Sequence, residues 1–184
     1  GDIWIAGHSL ARWNSKLQLF DTLIQVYGGA NKFNDDILAI SADENGSLWF
    51  HNVNNGLIEY RIQDKKFIPY TMKNGLPSDL LTSFSPVINN ILWIASNNHL
   101  TSFDTRTKKM IIYDESDGFP EYKSSSRKIY YHPGSGFLYM GANDYLAKFS
   151  NRSNRSAGWS SELMLEELVI DDKAHIHTNK GIQL

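Results

Sequence analysis

The segment Asn90–Asp104, NILWIASNNHLTSFD, runs through an apolar pair, an aromatic, a polar tight turn and a Leu-x-x-aromatic return. It predicts a β-hairpin: Leu92, Trp93 and Ile94 in one strand, a turn over Ser96-Asn97-Asn98-His99, and a return strand from Leu100 to Asp104. Three more copies follow the same plan: Ile3-Trp4-Ile5 with Leu10 and Trp13, Leu48-Trp49-Phe50 with Leu57 and Tyr60, and Leu138-Tyr139-Met140 with Leu146 and Phe149. Trp4, Trp49, Trp93 and Tyr139 lie 45, 44 and 46 residues apart, and Gly75-Leu76-Pro77 recurs as Gly118-Phe119-Pro120 after 43 residues. Periods of roughly 40–50 residues with four strand-sized segments each belong to β-propeller blades.

Taken in order, the repeats predict units of three, four, four and three strands. The first unit lacks its first strand, and Asp21–Tyr27 either extends its edge strand or forms a short helix. Asn45-Gly46 between two apolar runs is a hairpin signal, because both residues tolerate positive φ. The last unit stops at Phe149 before a fourth strand. Leu100 and Phe103 are an odd number of residues apart, so in a strand they point to opposite faces, and both faces are apolar. A sheet apolar on both faces must be sandwiched between neighbours, and Trp4, Trp49, Trp93 and Tyr139 are assigned to that packing. The expected fold is all-β, a partial β-propeller of about four blades, two of them incomplete, followed by the first strands of a β-sandwich.

After Phe149 the chain turns polar, Ser150-Asn151-Arg152-Ser153-Asn154-Arg155-Ser156, and apolar character resumes at Leu163–Ile170. The expected organisation is blades over 1–150, a linker over 151–160 and the opening of a second domain over 161–184. The chain begins at Gly1 and enters a strand at once, so it is expected to be a piece of a longer protein.

A formal net charge of −2, from 18 basic and 20 acidic residues without a basic run, gives no footprint for nucleic acid. Zero cysteines exclude disulfides, cysteine-ligated zinc and thiol catalysis. No apolar run reaches about 18 residues, so no membrane contact by this segment is expected. No catalytic constellation stands out. Only His175-x-His177, with Asp171 and Asp172 nearby, has metal-like closeness, and a surface His pair is the commoner case; neither metal nor cofactor is expected.

In a four-stranded antiparallel blade, the loop between the second and third strands and the loop joining one blade to the next emerge on the same face. That face collects Gly7-His8-Ser9, His51 to Asn55, Ser96 to His99 and Ala142 to Asp144, with the inter-blade loops Phe33 to Asp35, Ser78-Asp79 and Glu121 to Lys123. Candidate ligand-binding residues there are Asn34, Asp35, Ser78, Asp79, Asn97, His99, Tyr122, Lys123 and Asn143, a set suited to hydrogen-bonding hydroxyls and stacking a sugar ring. Asn, Ser and Asp are also the ordinary turn formers.

The phrases Gly75-Leu76-Pro77-Ser78, Asn45-Gly46-Ser47-Leu48-Trp49 and Asn55-Gly56-Leu57-Ile58-Glu59-Tyr60 resemble the two-component regulator propeller repeat over about residues 1–150. The tail from Leu163 to Lys173 is similar to the start of the immunoglobulin-like domain, named for three tyrosines, that follows such propellers. The resemblance implies the periplasmic sensor region of a membrane histidine kinase, often a hybrid with a response regulator, that works as a homodimer and whose ligands tend to be oligosaccharides. It also implies a ring of about seven blades, so the remaining blades come from elsewhere in the parent. Gly29-Ala30-Asn31 in place of Gly-Leu-Pro, and Phe50-His51 where the family prefers a small polar end to the strand, depart from the pattern.

Three functions are in view: a non-catalytic ligand sensor, a protein-interaction or dimerisation scaffold, and a polysaccharide-degrading propeller enzyme. The last needs clustered acids, and the loop face offers the scattered Asp35, Asp79, Glu121 and Asp144. Blades that bury one face on each neighbour leave two apolar end faces in an open arc. Residues 1–184 expressed alone are therefore expected to self-associate; sedimentation checks this, and a cooperatively melting monomer would contradict it.

Overall fold

The computed structural model describes residues 2–25, 36–52, 55–117, 128–141, 145–153, 161–170 and 173–176. The expected all-β class is present, as a succession of small antiparallel sheets of the partial-propeller kind. The first sheet comprises β1 (Trp4–Ala6), β2 (Ser9–Asn14) and β3 (Leu19–Gln25), and the second β4 (Ile37–Ala42), β5 (Ser47–Asn52), β6 (Leu57–Arg61) and β7 (Lys66–Tyr70). The third comprises β8 (Leu81–Phe84), β9 (Ile91–Ser96), β10 (Leu100–Asp104) and β11 (Met110–Tyr113). The fourth runs β12 (Lys128–His132), β13 (Phe137–Gly141), β14 (Tyr145–Ser153), β15 (Ser161–Ile170) and β16 (Lys173–Ile176). In all four sheets each strand pairs with its neighbour in sequence, so the connections are hairpins and no crossover is needed. The chain divides into two compact units, 1–81 and 82–184.

The first unit is built by packing the first sheet on the second. Pairing of Trp4 with Arg12 and of Ala6 with Leu10 puts Trp4, Ala6 and Leu10 on one face. That face meets Ile37, Leu48, Phe50, Ile58 and Tyr60 in one core. Trp4 meets Tyr60 edge-on at 6.2 Å, and Tyr60 stacks on Phe67 at 4.5 Å. The second unit repeats the design, with Trp93, Ala95, Leu100 and Tyr113 packed against Ile129, Leu138, Met140, Ala147 and Phe149. One hydrogen bond ties the inner strands of each unit across the core: Ile37 N–H to the Gly7 carbonyl at 2.9 Å, and Ile129 N–H to Ser83 Oγ at 3.2 Å.

The outward faces of the first and last sheets differ from these cores. Ile3 (58% exposed), Ile5 (45%) and Phe20 (43%) lie on the far side of the first sheet, where Trp13 packs on Phe20 at 4.9 Å. On the fourth sheet Tyr130 (57% exposed), Phe137, Tyr139 and Leu146 share the face opposite its core. Tyr139 was expected to be packed like the tryptophans at its repeat position. Trp93 is buried in its core and the half-buried Trp4 packs against its own, whereas the half-buried Tyr139 lies on the face opposite its core, with Phe137 edge-on at 6.4 Å. Its position in the repeat points away from the sheet behind it.

Local chemistry accounts for the turns. The Asp43 carboxylate accepts the Asn45 and Ser47 N–H groups, both at 2.9 Å, and its second oxygen accepts the Trp49 indole N–H at 2.8 Å. This aspartate anchors the hairpin, and only Gly46 of the Asn45-Gly46 pair takes positive φ, at +82°. The expected hairpin forms between β4 and β5, with a loop longer than the two-residue turn that would require positive φ at both positions. Gly56 has φ +65°, and a Cβ there would stand 2.3 Å from the Tyr70 carbonyl oxygen, so a side chain is excluded.

Two further readings resolve. The edge strand continues through Gln25, so the first part of Asp21–Tyr27 extends it as strand. The fourth unit does not stop before a fourth strand: β14 runs on to Ser153 and β15 pairs along it from Ser161 to Ile170, with a bulge at Lys148/Phe149. Polar residues 151–153 form a strand because β15 satisfies their backbone groups, which side-chain polarity does not reveal. β14 therefore has the outer neighbour that was expected to be missing.

Glu59, 3% exposed on β6, is held by Ser47 Oγ and Arg61 Nε, each at 3.1 Å, and by the Tyr70 hydroxyl at 2.8 Å. Burial, reinforced by the bond to Glu59, raises the Tyr70 pKa well above its ordinary value. A raised folded-state pKa gives stability that is complete below the unfolded value near 10 and is lost as pH climbs toward the folded one. Urea melts at stepped alkaline pH are expected to show this loss, and Tyr70→Phe to remove much of the slope. Tyr60, also raised by burial, leaves a remainder.

Candidate functional site

The expectation was that turns within sheets and loops between sheets meet on one face, and in the first unit two such meetings occur. The β5–β6 turn meets the loop before β8, where Gly56 N–H donates to the Asp79 carbonyl at 3.1 Å. The β1–β2 turn meets the residue before β4. There the His8 imidazole Nδ1 contacts the Asp36 carboxylate, and Gly7 accepts the Ile37 N–H one residue further on.

Asp79 and Ser78 turn out to be occupied by the fold. After β7 the chain makes a short 3-10 turn, Met72–Asn74, capped by Thr71 and closed by Gly75 in the left-handed region at φ 99°. Asp79 Oδ1 accepts the Met72 N–H at 2.7 Å, while Ser78 Oγ accepts the Leu80 N–H at 3.0 Å. Leu76 is buried. The Gly75-Leu76-Pro77-Ser78-Asp79 phrase thus positions the step from one sheet to the next, and its carboxylate serves as a helix-start acceptor.

In the second unit Asn97 and His99 share the β9–β10 turn. Asn97 is exposed, and the half-buried His99 gives its carbonyl to Ser96 N–H at 2.9 Å. Asp114, just past β11, lies within electrostatic range of His99. Its pKa is lowered, first by the Ser116 hydroxyl at 2.6 Å and the Ser116 N–H at 2.8 Å, and further by His99. Asn34, Asp35, Tyr122, Lys123 and Asn143 lie outside the described residues, as do Glu121, Asp144, Asp171, Asp172 and His177. His175 lies on β16. Among the described residues, no three of His, Cys, Asp and Glu are grouped as a metal site.

The list of candidate ligand-binding residues left out two residues at the first-unit rim, Asp36 and Asn52, the second within the loop-face segment His51 to Asn55. Asp36 sits one position beyond the loop that was singled out. Asn52 ends β5, is fully buried, and among the described residues neither its amide nitrogen nor its amide oxygen has a hydrogen-bond partner. Alternation along β5 puts Asn52 on the face of Leu48 and Phe50, the face that packs on the first sheet. It stands directly opposite Ile37. A β-bulge at Leu38 makes that pairing, because the extra residue turns Ile37 into the core beside Asn52. Leaving such a group unsatisfied costs about 1–3 kcal/mol. The one available signal was a polar pair, His51-Asn52, closing an otherwise apolar strand.

No protein-family model and no curated protein matches the chain. Solved structures do resemble it. The extracellular domain assigned to a hybrid two component system of Bacteroides thetaiotaomicron superposes with a TM-score of 0.63 at 16% identity, over 98% of this chain and 24% of that one. Another from the same organism, assigned to a one component system, gives 0.63 at 16% identity over 97% and 28%. An auxiliary nutrient binding protein of Bacteroides ovatus gives 0.61 at 12% identity over 90% and 38%. At these identities the likeness shows the fold, and the chain spans well under half the length of these proteins.

Because Asp79 caps a turn, Asp79→Ala is expected to lower stability by about 1 kcal/mol. Asp79→Asn, which keeps an acceptor oxygen, should lose less. Denaturant melts of both variants check this; equal, negligible losses would show that the carboxylate is not holding the turn.

Proposed function

We propose that these residues form part of the ligand-sensing extracytoplasmic region of a two-component sensor, a histidine kinase or its response-regulator hybrid, located in the periplasm. The segment is a non-catalytic run of propeller blades that recognises an oligosaccharide and passes the signal to a downstream kinase. The observation that carries this reading is the pair of apolar end faces, Ile3, Ile5 and Phe20 on the first sheet and Tyr130, Tyr139 and Leu146 on the last. Such faces require further blades from the parent, and the matched extracellular domains, several times longer than this chain, are of a size to supply them. The strands β15 and β16, which extend the last sheet, lead on to the immunoglobulin-like domain of this reading. The matched nutrient-binding protein favours a small ligand over a purely structural role.

A scaffold that dimerises or docks other proteins is the second reading, favoured by the same aromatic face on the fourth sheet. A thermal-melt screen of the complete ectodomain against neutral and acidic oligosaccharides separates the two. Sensing predicts a saturable rise in melting temperature with at least one sugar; no response across a broad panel favours the scaffold.

A further inference from the structure

We infer that Asn52 is the hydrogen-bonding centre of a subsite for a neutral, polyhydroxylated ligand, at the rim between the first and second sheets. The inference rests on the sensing reading and names a place for it. A primary amide offers two donors and an acceptor side by side, matching adjacent hydroxyl groups that each donate and accept. Here that amide is buried with all of its capacity unused, in a strand where an apolar residue of equal size would pack against Ile37, Leu48 and Phe50. Buried polar groups without partners are rare enough to require a reason, and replacing one by an apolar isostere is neutral or stabilising.

The surroundings are built for recognition. The bulge at Leu38 turns the backbone at this rim, and a second register shift, at Leu10/Ala11, lies on the facing sheet. One residue beyond the Ile37–Asn52 pair, His8 and Asp36 clasp the β1–β2 turn to the start of β4. Both side chains are well exposed, 79% for His8 and 42% for Asp36, so they can part at small cost to admit a ligand. Once parted they add an imidazole and a carboxylate, both able to bind hydroxyls. With the Asp36 carboxylate at its edge, the rim favours a neutral ligand over an anion.

The test uses the complete ectodomain as wild type, Asn52→Leu and Asn52→Ala, melted alone and with neutral xylo-, arabino-, malto- and manno-oligosaccharides. Asn52→Leu is expected to melt about 2–8 °C higher than wild type without sugar. Both variants are expected to lose the sugar-induced shift while keeping a cooperative transition. If Asn52→Leu is less stable than wild type, the amide has a structural partner and the inference is overturned. Variants that retain the full sugar shift overturn the subsite while leaving sensing intact. No shift in wild type with any sugar overturns the sensing reading, and the subsite with it.

Discussion

Every sheet in this chain is apolar on two sides, and that single constraint organises the rest. A strand such as β10, buried along its whole length, cannot stand with one face in water. It needs cover on both faces. The cores of the two units are solutions to this requirement: one aromatic from each forward-facing strand, Trp4 in the first unit and Trp93 in the second, crosses to the next sheet. Among the described residues no sheet packs on the far side of the fourth, and the same repeat position, Tyr139, lies half-buried on that aromatic face.

The constraint was legible in the sequence because it acts through period. Strand alternation and a spacing of 44 to 46 residues are properties of side chains in order along the chain, so the hairpins around Trp49 and Trp93 could be located closely. What failed to show was set by backbone pairing across distance. Residues 151–153 read as linker because their side chains are polar, yet β15 supplies the ladder that makes them strand. Tyr139 read as core because its neighbours in the repeat are core, and only the count of sheets shows that its face is the terminal one.

The candidate site was less legible for a related reason. Turn-forming residues and ligand-binding residues are drawn from the same set, Asn, Asp, Ser and Gly. Asp79 looked like a ligand-binder and is spent on a Met72 cap, while Ser78 closes its own turn. Asn52 was placed only among the loop-face residues His51 to Asn55, and it is a buried strand residue whose amide has no partner among the described residues. Distinguishing these cases requires knowing where each hydrogen bond goes, which is information about three dimensions.

Hydrogen–deuterium exchange tests the two-face requirement most directly, by comparing these 184 residues alone with the same residues inside the longer ectodomain proposed above. The inner strands β5, β6, β9 and β10 are buried along most of their length and should be equally protected in both. Peptides covering Trp4–Ala6 and Phe137–Gly141 should gain protection in the ectodomain, as the further blades proposed above would cover the outer faces of the first and last sheets. Identical exchange at these terminal strands in both proteins would contradict the account, because it would mean the uncovered faces need no partner.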